Sequence, residues 1–123
     1  MTVNRPLLVF AAANGALAVA LGAFGAHGVG PDAKALLTTG AQYQMVHAVL
    51  AVGCAVLGRG LSGVGLAGWL ASIGGLVFSL ALALIALAGL SFMGAVAPVG
   101  GTLMIAGWSL LLLAAVRHRH RAP

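Results

Sequence analysis

Four long apolar runs divide the chain, separated by short stretches rich in glycine, proline and charge. The first runs from Leu7 to Ala26, about 20 residues, which as a helix spans ~30 Å, the thickness of a bilayer core. Arg5 and Pro6 precede it, and proline suits the first turn of a helix. A run this long exceeds the apolar core of a cleaved signal peptide, so it is expected to stay as a span. Residues 28–34 (GVGPDAK) are rich in helix breakers, and Thr38 and Thr39 are predicted to cap a second span over 40–58. A turn at Arg59-Gly60-Leu61-Ser62-Gly63 leads to a third span over 64–88. An uncharged loop, 89–97, precedes Pro98, which opens a fourth span over 98–116. Four spans with short connections predict an all-α integral membrane protein, an antiparallel four-helix bundle.

Composition sharpens this. The chain of 123 residues is 62% apolar and 6% charged, against about a quarter charged in soluble domains, so its surface is built for lipid. Its net charge of +5 would suit a nucleic-acid partner only on a folded polar face. Here the charges flank apolar runs, so no nucleic acid is expected. Arg5, Arg59 and the tail 117–123 (RHRHRAP) fall on one side of four spans, and Lys34 on the other. The positive-inside rule therefore predicts an inner (plasma) membrane protein with both termini cytoplasmic. The tail is expected to contact anionic lipid headgroups, at roughly 1 kcal/mol per basic residue. His118 and His120, two apart in that tail, are a weak metal signal.

Small residues recur every four positions, at Ala18, Gly22 and Ala26 and at Ala71, Gly75, Ser79 and Ala83. Such stripes let helices approach closely where no hydrophobic effect drives association inside lipid. The lone Cys54 excludes an internal disulfide and, in an apolar run, reads as a buried thiol.

The chemistry that remains is a thin polar layer centred on the stretch Gln42-Tyr43-Gln44-Met45-Val46-His47. At ~1.5 Å of rise per residue from the basic end, Asn14 lies at ~14 Å, His47 at ~18 Å, and Gln44, Ser79 and Thr102 at ~22 Å. His27 falls at ~33 Å, too far from His47 for both to bind one metal or haem iron. Gln44 and His47 share a helix face, i and i+3, continued by Ala51 and Cys54, and Asn14, nearly level with His47, is placed to bond across to it. Polar groups there serve either as interhelical glue or as a ligand site. No nucleophile–base pair or metal constellation stands out, so no enzyme and no cofactor is expected.

Several stretches together resemble a family of small membrane proteins, domain of unknown function 423, whose eukaryotic relatives are transmembrane protein 256. They are Leu21-Gly22-Ala23-Phe24-Gly25-Ala26-His27-Gly28, Tyr43-Gln44 with His47-Ala48, Phe78-Ser79, Ala97-Pro98-Val99-Gly100-Gly101 and Gly107-Trp108. After Phe78-Ser79 the family usually shows Gly-Ser-Leu-Tyr, and here stands Leu80-Ala81-Leu82-Ala83, so nothing assigned to that serine or tyrosine carries over. The resemblance implies four membrane helices, with His27, Gln44 and His47 as motif residues, and no established activity. The expected function is the first of the following two, non-enzymatic, and the second is its alternative. One is a structural or accessory subunit of a larger membrane complex or homo-oligomer. The other binds or transports a lipid or quinone-like molecule at Gln44 and His47.

Overall fold

A computed structural model of the chain describes residues 2–119. It contains four long helices, α1 (Arg5–His27), α2 (Pro31–Leu57), α3 (Val64–Ala88) and α4 (Ala97–Arg119). All four are long and apolar enough to cross a membrane. Short 3₁₀ turns at Gly58–Gly60 and Ser91–Ala95 join the last three. His120 and Arg121, which the sequence places in the basic tail, lie outside the described residues.

Local chemistry sets the ends. The Asn4 side chain accepts from Leu7 N–H at 3.3 Å, capping α1, and Pro6 sits in its first turn. Gly63 and Gly89 bracket α3 with φ of 91° and 66°, a backbone shape that side chains oppose.

The second helix corrects the sequence reading. It begins at Pro31, not near Gly40, and Thr38 and Thr39 lie inside it. Pro31 presets the first helical turn, and Asp32 complements the positive end of the helix dipole. The Thr38 hydroxyl donates back to the Lys34 carbonyl at 2.8 Å instead of capping. The polar first two turns hid this part of the helix from a search for apolar runs.

Packing follows chain order. Helix α2 lies along both α1 and α3, whereas α4 lies along α3 and has no comparable contact with α1 or α2 among the described residues. The bundle is therefore open between α2 and α4. The start of α1 and the last turns of α4 lie at one end of it. Asn4 N–H donates to the Ala55 carbonyl at 3.0 Å, and Ala114 joins Leu7 and Val64 in one apolar cluster.

Small residues make the contacts close. Ala71, Gly75, Ser79 and Ala83 are all buried, as the four-residue spacing predicts. Of the first stripe, Ala18 is buried, Gly22 half-buried and Ala26 exposed. The closest approach joins α3 to α4, where a Cβ on Gly100 would stand 2.6 Å from Phe78 N and one on Gly107 2.8 Å from Ala71 N. Only glycine fits there.

Candidate functional site

The polar layer resolves into two clusters that leave α2 in opposite directions. Gln44 turns toward α1. Its Nε2 donates to Asn14 Oδ1 at 2.6 Å, and Asn14 Nδ2 donates in turn to the Ser72 carbonyl and hydroxyl oxygens, both at 2.9 Å. All three residues are buried. Because the Ser72 carbonyl can only accept, Asn14 must present its NH₂ there and its oxygen to Gln44. Donation thus runs one way, from α2 through α1 to α3, and the Gln44 Oε1 at its head has no hydrogen-bond donor.

His47 turns toward α4. Its Nδ1 lies 2.6 Å from the Tyr43 carbonyl oxygen, and Trp108 Nε1–H points at its Nε2 from 3.0 Å. A carbonyl accepts only and an indole N–H donates only, so the ring carries its proton on Nδ1 and a lone pair on Nε2. Both nitrogens are engaged within the protein. His47 is 5% exposed and Trp108 47% exposed. Tyr43 stacks over His47 with centroids 6.4 Å apart and meets Phe78 edge-on at 5.1 Å.

These aromatics line a groove of about 390 Å³ in the open seam between α2 and α4. Tyr43 and His47 form one wall, Phe78 the floor, and Gly101, Met104, Ile105 and Trp108 the other wall. Such a volume lies in the ~300–1,000 Å³ range of small-molecule sites, as does an apolar lining with few polar groups. A smaller recess of about 140 Å³ beside Asn14 is lined otherwise by Phe10, Ala13, Leu17 and Leu76.

The remaining sequence candidates lie elsewhere. Ser79 is buried where α2 and α3 touch, with its Cα 3.0 Å from where a Gly40 Cβ would stand. Thr102 is exposed, and its hydroxyl donates to the Pro98 carbonyl of its own helix at 2.8 Å, so it does not join the polar layer. His27 is exposed in the last turn of α1, away from the His47 cluster. Asn14 bonds Gln44 rather than His47. Ser72 and Trp108 complete the two clusters without having been singled out as their members. A level count exposes both. Ser72 is eight residues into α3, at ~12 Å, beside Asn14 at ~14 Å, and Trp108, nine residues from Arg117, is also at ~14 Å.

The chain is similar along nearly its whole length to bacterial membrane proteins. It is 40% identical over 121 residues to the UPF0382 membrane protein YwdK of Bacillus subtilis, covering 93% of this chain and 98% of that one. It is 35% identical over 128 aligned positions to the UPF0382 inner membrane protein YgdD of Escherichia coli K12, covering 96% and 95%. No solved structure matches. With four apolar helices and these relatives, the protein is a multi-pass membrane protein. The family model described as "Protein of unknown function (DUF423)" matches residues 21–101, and the chain belongs to that family.

Proposed function

We propose that this protein binds a small lipophilic molecule in the α2–α4 seam, admitting it sideways from the bilayer. The observation that carries this reading is the 390 Å³ groove, apolar and aromatic, with the His47–Trp108 pair among its few polar groups. Interhelical glue alone would draw α4 onto α2 and close that seam. Among the described residues no serine, cysteine or threonine is bonded to His47, so binding or carriage, rather than catalysis, is the activity proposed. Both termini face the cytoplasm in this reading, with Arg5 and Arg117 at the anionic inner leaflet.

The test is retention through purification. Wild-type protein extracted in mild detergent should carry a neutral lipophilic compound, identified by mass spectrometry of an organic extract. Gly101→Leu should lose it, because Gly101 borders the groove and a Cβ there meets no atom within 4 Å, which leaves the rest of the leucine to occupy the groove. Identical extracts from the two proteins would refute the binding reading.

A second reading, an accessory subunit of a larger assembly or a homo-oligomer, is favoured by one feature of α1. Ala12, Ala16, Ala20 and Ala23 are exposed on its outer side, at spacings that suit close packing of another helix. Stoichiometric co-purification of a partner, lost on Ala16→Leu, would support it.

A further inference from the structure

We propose that the groove selects a membrane-dissolved compound bearing a hydroxyl group, which inserts between His47 Nε2 and Trp108 Nε1–H. This rests on the binding reading above and names the ligand's chemistry.

Hydrogen-bond accounting drives the inference. Between the two walls of the groove, Nε2 is an acceptor and the indole N–H a donor, and at 3.0 Å they satisfy one another. The imidazole tautomer is locked by the Tyr43 carbonyl behind it, so Nε2 stays an acceptor. A ligand that parts the pair must replace both halves of the bond, because a buried group left alone is strongly penalised. A carbonyl or ether oxygen can take the indole N–H but leaves Nε2 without a donor. An amine presents donors to Nε2 but, once protonated, nothing for the indole. A hydroxyl does both at once, donating O–H to Nε2 and accepting Nε1–H on the same oxygen.

Depth narrows the class further. Trp108 lies nine residues and Gly101 sixteen residues above Arg117, hence at ~14 and ~24 Å from the basic end of a ~30 Å core. A phospholipid headgroup stays at the interface, ~14 Å from this pair by the same count. The hydroxyl must therefore belong to a molecule that dissolves in the bilayer interior, and the aromatic frame of Tyr43, Phe78 and Trp108 favours a flat ring over a bare chain. A long-tailed phenol or reduced quinone has this chemistry. The oxidised quinone, which has carbonyls only, does not.

The experiment uses wild-type protein in phosphatidylcholine nanodiscs, titrated with 4-decylphenol and, separately, with its methyl ether 4-decylanisole. The two share size and oxygen position, and the ether lacks the donor. The readout is the indole N–H resonance of Trp108, with that of Trp69 as internal control, because Trp69 packs on Phe10 away from the groove. The phenol should shift Trp108 saturably, and the ether should bind about tenfold or more weakly, the penalty for one unpaired buried acceptor. If both bind at Trp108 with equal strength and compete, the hydroxyl inference fails and the groove reading stands. If neither shifts Trp108 saturably, both fail.

Discussion

Trp108 and His47, 61 residues apart in sequence, meet through a 3.0 Å hydrogen bond that spans the open side of the bundle. This contact joins α4 to α2, helices that otherwise touch through α3. The bond fixes which imidazole nitrogen carries the proton. Nitrogen-15 NMR of the folded protein should show His47 protonated on Nδ1 and bare on Nε2. Trp108→Phe should remove the indole donor while keeping an aromatic ring, at a loss of about 1–2 kcal/mol of stability. A His47 protonated on Nε2 in the wild type would contradict the geometry.

Stability itself has a built-in reporter. Cys54 is the single cysteine, and it is buried in the apolar cluster with Leu7, Ala51 and Val64. Its thiol should resist a membrane-permeant maleimide in the folded protein and react once the bundle opens. Alkylation against temperature then reads unfolding in detergent. Rapid labelling at low temperature would show that the cluster around Cys54 is not closed.

With that reporter, the Gln44–Asn14 pair makes a quantitative prediction. Asn14→Leu and Gln44→Leu should each destabilise, because each strands the partner's polar group in the core. The double variant should lose less than the sum, with a coupling of about 1 kcal/mol, in the range measured between membrane helices. Strict additivity would mean that the 2.6 Å bond contributes nothing beyond its own side chains.

The neighbouring glycines of α4 should separate cleanly. A Cβ on Gly100 would stand 2.6 Å from the Phe78 backbone nitrogen, whereas one on Gly101 meets nothing within 4 Å. Gly100→Ala must push α4 off α3, at about 1–3 kcal/mol for overpacking, and Gly101→Ala should be near neutral. Equal effects would refute the close backbone contact.

The sequence shows the four helices plainly because apolar runs of this length have few other uses. It conceals the start of α2, where Asp32, Lys34 and Thr38 make two helical turns look like a loop. The polar layer was legible as a layer, since Asn14, Gln44 and His47 interrupt apolar faces. Its pairings were not. Depth counted from Arg59 for Gln44 and from Arg5 for Asn14 sets Gln44 ~9 Å above Asn14, yet the two bond directly. The offset arises because Asn4 N–H bonds the Ala55 carbonyl, so α1 starts level with residue 55 rather than residue 59. From those origins Asn14 is ten residues up and Gln44 eleven, which is the same height. Divergence of Gln44 and His47 to opposite neighbours was also hidden, because i and i+3 mark a shared face without saying that two helices border it.

The orientation of the bundle in the membrane follows from where its basic residues lie. The four antiparallel helices bring the start of α1 and the end of α4 to one end of the bundle, through the Asn4–Ala55 bond and the packing of Ala114 with Leu7 and Val64. Arg5 and Arg117 share that end, while Lys34 lies at the other. Basic residues near span ends resist translocation, so this end should remain in the cytoplasm. A green fluorescent protein fused after Pro123 should therefore glow, and alkaline phosphatase at the same site should be inactive. Moving the phosphatase into the loop between α3 and α4, after Gly94, should switch it on. Replacing Arg5 and Arg117 with Ala weakens the bias without touching the buried face, since both are exposed. That variant should give a mixed population, and a C-terminal phosphatase fusion that is fully active in the wild type would reverse the assignment.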